Sequence, residues 1–80
     1  MSDADVRGRV VQAMMDIMDV ERAALNDEVS PDTLEAWDSL SHMNLVLALE
    51  EEFGLRFTDE EIMGMLSIPQ IVQTLVAKGA

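Results

Sequence analysis

Eighty residues allow one modest hydrophobic core and leave no room for a second domain or for an enzyme that must enclose its substrate. Sixteen acids against five bases give a formal charge of −11, which repels nucleic acid and anionic membranes and attracts basic patches on partner proteins. With no cysteine and one histidine there is no disulfide framework, no thiolate metal site and no basis for a histidine-built one. Met1-Ser2-Asp3-Ala4-Asp5 lacks the basic and apolar regions of a signal peptide, and no apolar run reaches membrane-spanning length. The expectation is a single domain over residues 1–80, monomeric and cytoplasmic.

The first predicted helix runs from about Asp3 to about Met18. Ser2 or Asp3 can cap it, and Val6, Val10, Ala13, Met14 and Ile17 recur at helical spacing as the buried stripe. Arg7, Arg9, Gln12 and Asp16 fill the outer face, and no chemistry is assigned to this helix. Residues Asp19 to Trp37 form a long connection. Loops of that length are uncommon in small domains unless they are packed or functional. Ala23, Ala24, Leu25, Val29, Leu34 and Trp37 supply apolar anchors, and Ser30-Pro31-Asp32-Thr33 can open a short helical turn.

The stretch Trp37 to Gly54 reads as a second helix. Asp38 or Ser39 can cap its start, and Gly54 can end it in a left-handed conformation. At about 100° per residue, His42, Leu45, Val46, Leu49 and Phe53 share one broad stripe that faces the core. Leu40 and Leu47 fall on roughly the opposite side, with Met43 on the flank between. A second apolar stripe on a small helical protein marks a binding surface. It begins beside Ser39 and runs into Glu50 and Glu51, so it suggests docking around a modifiable hydroxyl.

Leu55-Arg56-Phe57 then alternates, with the two apolar residues inward. Thr58-Asp59-Glu60-Glu61 is a capping box, which opens a short helix through Ile62, Met63, Met65 and Leu66. Gly64 weakens that helix by about 1 kcal/mol relative to alanine. Ser67 can cap a last helix with Pro69 in its first turn, with Ile68, Val72, Leu75 and Val76 inward and Gly79 beyond its end. The expected fold is all-α, a four-helix bundle of three longer helices and a short third one with a long first loop.

Asp38-Ser39-Leu40, followed at this spacing by Leu45-Val46-Leu47-Ala48-Leu49-Glu50-Glu51-Glu52-Phe53, resembles the acyl carrier proteins. Most of the chain shares the likeness, including the acidic balance and the long first loop. The resemblance implies a free-standing, non-catalytic carrier whose Ser39 receives a 4′-phosphopantetheine arm from coenzyme A through a phosphopantetheinyl transferase. Asp38 would assist that attachment. Acyl intermediates would ride on the arm's thiol as thioesters in fatty acid, polyketide or related biosynthesis. The partner face would comprise Leu40, Met43, Leu47, Glu50 and Glu51, with Glu60, Glu61, Met63 and Met65 as further candidates on the third helix. Acyl-loading and acyl-transferring enzymes with basic docking patches would meet that face. The core, with Met14, Met18 and Met63, would shelter an acyl chain.

Two other readings stand beside this one. Aminoacyl and peptidyl carriers share the serine, but usually have a glycine-rich lead-in and fewer acids. An unmodified helical adaptor could use Leu40 and Leu47 alone, with Ser39 a mere cap. A Ser39–His42 hydrolase pair is rejected, because no strand-turn-helix elbow or oxyanion donors surround the serine. Ser41 lies one position past the motif's leucine and competes poorly for the arm. His42 is expected to be half-buried and hydrogen-bonded, and Trp37 to anchor the loop near the base of the arm.

Overall fold

A computed structural model describes residues 2–80; Met1, the first residue of the expected leaderless N-terminus, lies outside them. The element order is α1 (Asp3–Met18), a 3₁₀ turn (Arg22–Ala24), α2 (Ser39–Phe53), α3 (Asp59–Gly64) and α4 (Ile68–Ala77). Three longer helices and a short third one are therefore present, with the long loop between α1 and α2.

Local chemistry explains where each helix starts. Ser2 and Asp5 form a capping box at α1, and Thr58 and Glu61 form another at α3. Ser67 accepts from the Gln70 N–H at α4, with Pro69 in the first turn. The end of α2 depends on Gly54, whose φ of +65° suits glycine better than any residue with a Cβ. That conformation lets the Leu55 N–H reach back to the Glu50 carbonyl at 3.1 Å, which satisfies one of the helix's last orphan acceptors.

The helix α1 is shared by the two other long helices, packing against α2 on one side and α4 on the other. The core collects Val6, Val10, Val11, Met14 and Met18 from α1, Leu45, Val46 and Leu49 from α2, and Ile68, Ile71 and Leu75 from α4. Leu25 and Trp37 pin the long loop to this core, and Val29 and Leu34 pack partly against it. Ala23 and Ala24 are not anchors; they are exposed on the 3₁₀ turn. Hydrogen bonds from the Thr33 and Leu34 N–H groups to the Ser30 carbonyl close the expected turn at Ser30-Pro31.

Two stripes differ from the sequence expectation by a rotation. On α1, Val11 and Met18 are buried while Ala13 and Ile17 are only partly so. On α4, Ile71 replaces Val76 inside, and Val76 is exposed. The third helix is shorter than expected, ending at Gly64, so Met65 and Leu66 lie beyond it. None of the residues of α3 is buried, whereas Met65 directly after it is. Among the described residues no helix is long and apolar enough to cross a membrane.

Candidate functional site at the start of α2

Asp38, rather than Ser39, is the cap of α2. Its backbone is extended, and its carboxylate accepts the Ser41 N–H at 2.8 Å. That backbone hydrogen bond, then the Ser41 hydroxyl, holds the Asp38 carboxyl below its ordinary value. Ser39 is thereby released from capping. It is the first residue of the helix and exposed, so its hydroxyl faces solvent at the positive end of the helix dipole. The Ser39 and Leu40 N–H groups belong to the first turn and have no carbonyl one turn earlier within the helix. A phosphodiester on Ser39 fits this setting, because a helix start offers both free N–H donors and a favourable field to an anion.

Trp37 is 1% exposed and immediately precedes the cap. Its indole Nε1–H donates to His42 Nδ1 at 2.9 Å, and the two rings stack with centroids 6.1 Å apart. The other ring nitrogen, His42 Nε2, lies 2.8 Å from the carbonyl oxygen of Ile62 on α3. An indole N–H can only donate and a carbonyl can only accept, so the partners assign the imidazole its proton on Nε2. His42 is half-buried and satisfied on both sides, as expected, and has no bond to Ser39. Pro31, Trp37, Asp38, Ser39, His42 and Leu66 line a cleft of about 370 Å³. A larger groove of about 590 Å³ lies between α1 and α2 around Gly8, Arg9, Ala48 and Glu52, and it includes none of these residues.

From Ser39 the outer side of α2 carries an apolar ridge. Leu40 is 72% exposed, Met43 45% and Leu47 59%. Glu51 and Glu60 are exposed as well. Two expected members of this face are placed otherwise. Met65 is 1% exposed and belongs to the core, because α3 ends one residue before it and the chain turns its side chain inward. Glu50 is half-buried, and its carboxylate accepts the Phe57 N–H at 2.9 Å, tying the segment after Gly54 back to α2. Glu61 has a structural partner too, Lys78 Nζ at 2.9 Å. Met63, expected in the core as well as on this face, is 75% exposed, and Leu66 is 46% exposed. Leu66 was missed as a surface residue because its exposure depends on where α3 stops, and Gly64 was the one local hint of that.

A family model described as phosphopantetheine attachment site matches residues 9–75. The acyl carrier protein of Buchnera aphidicola subsp. Baizongia pistaciae (strain Bp) is 36% identical over 52 residues, which are 65% of this chain. The match spans 65% of that relative's length, just under two thirds. A solved structure of the acyl carrier protein from Enterococcus faecalis superposes with a TM-score of 0.77 at 29% identity. That superposition covers 96% of this chain and 98% of the other. With the family model spanning most of the chain and an all-helical fold in common, the chain belongs to the acyl carrier protein family of phosphopantetheine attachment domains, whose covalent cofactor is 4′-phosphopantetheine.

Proposed function

We propose that this protein is an acyl carrier whose arm is attached at Ser39, and that it holds acyl intermediates as thioesters for fatty acid, polyketide or related biosynthesis. The observation that carries this reading is the geometry of the α2 start. Asp38 caps the helix, which leaves the Ser39 hydroxyl exposed on the first turn at the head of the Leu40–Leu47 ridge. When bound, the arm supplies a terminal thiol for thioester exchange. The chain itself offers the attachment hydroxyl, an N-terminal helix field that favours the phosphodiester, and a docking ridge. Asp38 assists the transferase during attachment; it does not bind the phosphate, which has the same sign.

The carrier is not a catalyst in this reading. Tethering raises the effective concentration of the intermediate at each successive enzyme, so no single encounter has to be tight. Leu40, Met43 and Leu47 supply the apolar centre of the docking face, and Glu51 and Glu60 supply charge that meets basic patches on a phosphopantetheinyl transferase and on acyl-transferring enzymes. Glu50 contributes to that field while remaining bonded to the Phe57 N–H. The cytoplasm is the proposed location, where these enzymes meet their carriers.

The test is intact mass after incubation with coenzyme A, magnesium and a broad-specificity phosphopantetheinyl transferase. The wild type is expected to gain one phosphopantetheine, and Ser39→Ala none while keeping its helical circular dichroism. A folded wild type that stays unmodified with several transferases would turn the reading toward an unmodified adaptor.

A further inference from the structure

The imidazole of His42 joins three separate elements. It grows from α2, accepts from Trp37 at the end of the long loop at 2.9 Å, and meets the Ile62 carbonyl of α3 at 2.8 Å. Each of the two outer elements depends on it. The indole N–H of Trp37 is a donor in a side chain that is 1% exposed, and His42 is its partner. A buried donor left without an acceptor loses its water and gains nothing in return. The third helix has six residues and buries none of them. A segment that short does not persist on its own. Besides the half-buried Ile62 and the Met65 anchor behind it, its side-chain polar ties to the rest of the molecule are His42 and the Lys78–Glu61 pair.

We propose that neutral His42, with its proton on Nε2, is a latch that holds the long loop and α3 onto α2 beside Ser39, and that protonation of Nδ1 opens it. The neutral ring matches one acceptor to Trp37 and one donor to Ile62. The doubly protonated ring carries two donors, so its Nδ1–H faces the indole N–H and both groups lose their partner. An imidazole can take up this second ring proton in acid, which makes acid the condition that opens the latch.

The charged groups on the elements that meet the ring are otherwise engaged or exposed. Asp38 on α2 accepts the Ser41 N–H. Asp32 and Glu35 of the loop are exposed, as are Asp59 and Glu60 of α3. Glu61 is bonded to the Thr58 N–H and to Lys78. None of them is hydrogen-bonded to the imidazole in place of Trp37 or Ile62.

Opening the latch frees two walls of the cleft that contains Ser39, since Trp37 and His42 line it directly and α3 leads into Leu66 on its far side. The surface offered beside Ser39 therefore has two states, set by one proton. This holds whether or not Ser39 bears an arm, so the latch and the carrier reading stand or fall separately.

Amide hydrogen exchange by NMR tests it, with protection taken relative to the intrinsic rate at each pH and with the His42 ring protons reporting the charged fraction. Protection of the Ile62 and Met65 amides is expected to fall by roughly tenfold as the ring becomes charged. The Trp37 indole N–H resonance should move with the same midpoint. Both responses should survive Glu61→Gln, which removes the one titrating carboxylate of α3 that ties it to α4. His42→Leu should show the low protection at every pH. His42→Gln, whose amide nitrogen can replace Nε2, should restore protection of α3 without the pH response. The latch is overturned if α3 protection is unchanged while the ring titrates, or if His42→Leu keeps the protection of the wild type.

Discussion

Asp38 and Ser39 are both good capping residues, so the sequence alone left two registers open for the start of α2. The choice matters chemically, because a capping hydroxyl would be tied to the backbone. The extended conformation at Asp38 and its 2.8 Å bond to Ser41 decide it in favour of a free serine. Leu47 and Met65 make the opposite point, since both are apolar residues expected on the partner face. Leu47 is 59% exposed and Met65 is 1% exposed. Truncation separates them. Met65→Ala should destabilise the fold by about 2–5 kcal/mol, the usual cost of emptying a methionine site in a core. Leu47→Ala should stay within about 0.5 kcal/mol of wild type, as surface substitutions do, while weakening attachment and acyl transfer by partner enzymes. Urea unfolding of the two variants reads the difference directly, and equal costs would contradict the placement of Met65.

At the level of elements, most helix starts and stops were legible, the end of α3 excepted, and the rotational phase was legible for α2 but only in part for α1 and α4. Caps are written in a few adjacent residues, so Ser2, Thr58, Ser67 and Gly54 could be read without knowing the fold. Which stripe of a helix is buried depends on where its neighbours lie. On α4 the run of apolar residues is wide enough that Ile71 and Val76 compete, and packing against α1 selects Ile71. The polar ties between elements were the least legible part. His42 to Ile62 spans twenty residues and Lys78 to Glu61 seventeen, and no local pattern announces either.

The Glu61 tie has a pH signature of its own. The Thr58 N–H first, and Lys78 second, hold the Glu61 carboxyl below its ordinary value. A depressed carboxyl pKa contributes stability that is fully present above the unfolded value and is lost as pH falls through the folded one. The clamp on α3 should therefore be intact at neutral pH, and its contribution should be lost in acid, from the ordinary glutamate value down through the lower folded one. Following the Thr58 amide resonance should give a midpoint below that of an unperturbed glutamate. Lys78→Met should raise the midpoint only part of the way, because the backbone bond is the larger cause. A wild-type midpoint at or above the ordinary value would remove this clamp from the account.

The whole molecule carries a formal charge of −11 within extents of 30 × 25 × 19 Å. Among the described residues, three ion pairs offset it locally: Arg7–Asp27, Arg9–Glu52 and Lys78–Glu61. The first two are well exposed, and exposed pairs contribute little. The sum of repulsions among unpaired acids is therefore the larger electrostatic effect, and it opposes the compact state. Salt acts on the two at different ranges. At about 0.01 M the screening length is ~30 Å, the length of the molecule, so each acid feels the others. At about 1 M it is ~3 Å, and only groups in contact still interact. Raising sodium chloride across that interval should raise the melting temperature, because repulsion is screened before the close pairs are. Over the same interval the rate of phosphopantetheine transfer to Ser39 should fall, because the acidic face loses its attraction for a basic partner. Scanning calorimetry and a mass-based transfer assay at matched salt concentrations measure both. A melting temperature that falls with salt would mean that the ion pairs outweigh the excess acids. A transfer rate indifferent to salt would place the transferase contact on the Leu40–Leu47 ridge without help from the charge.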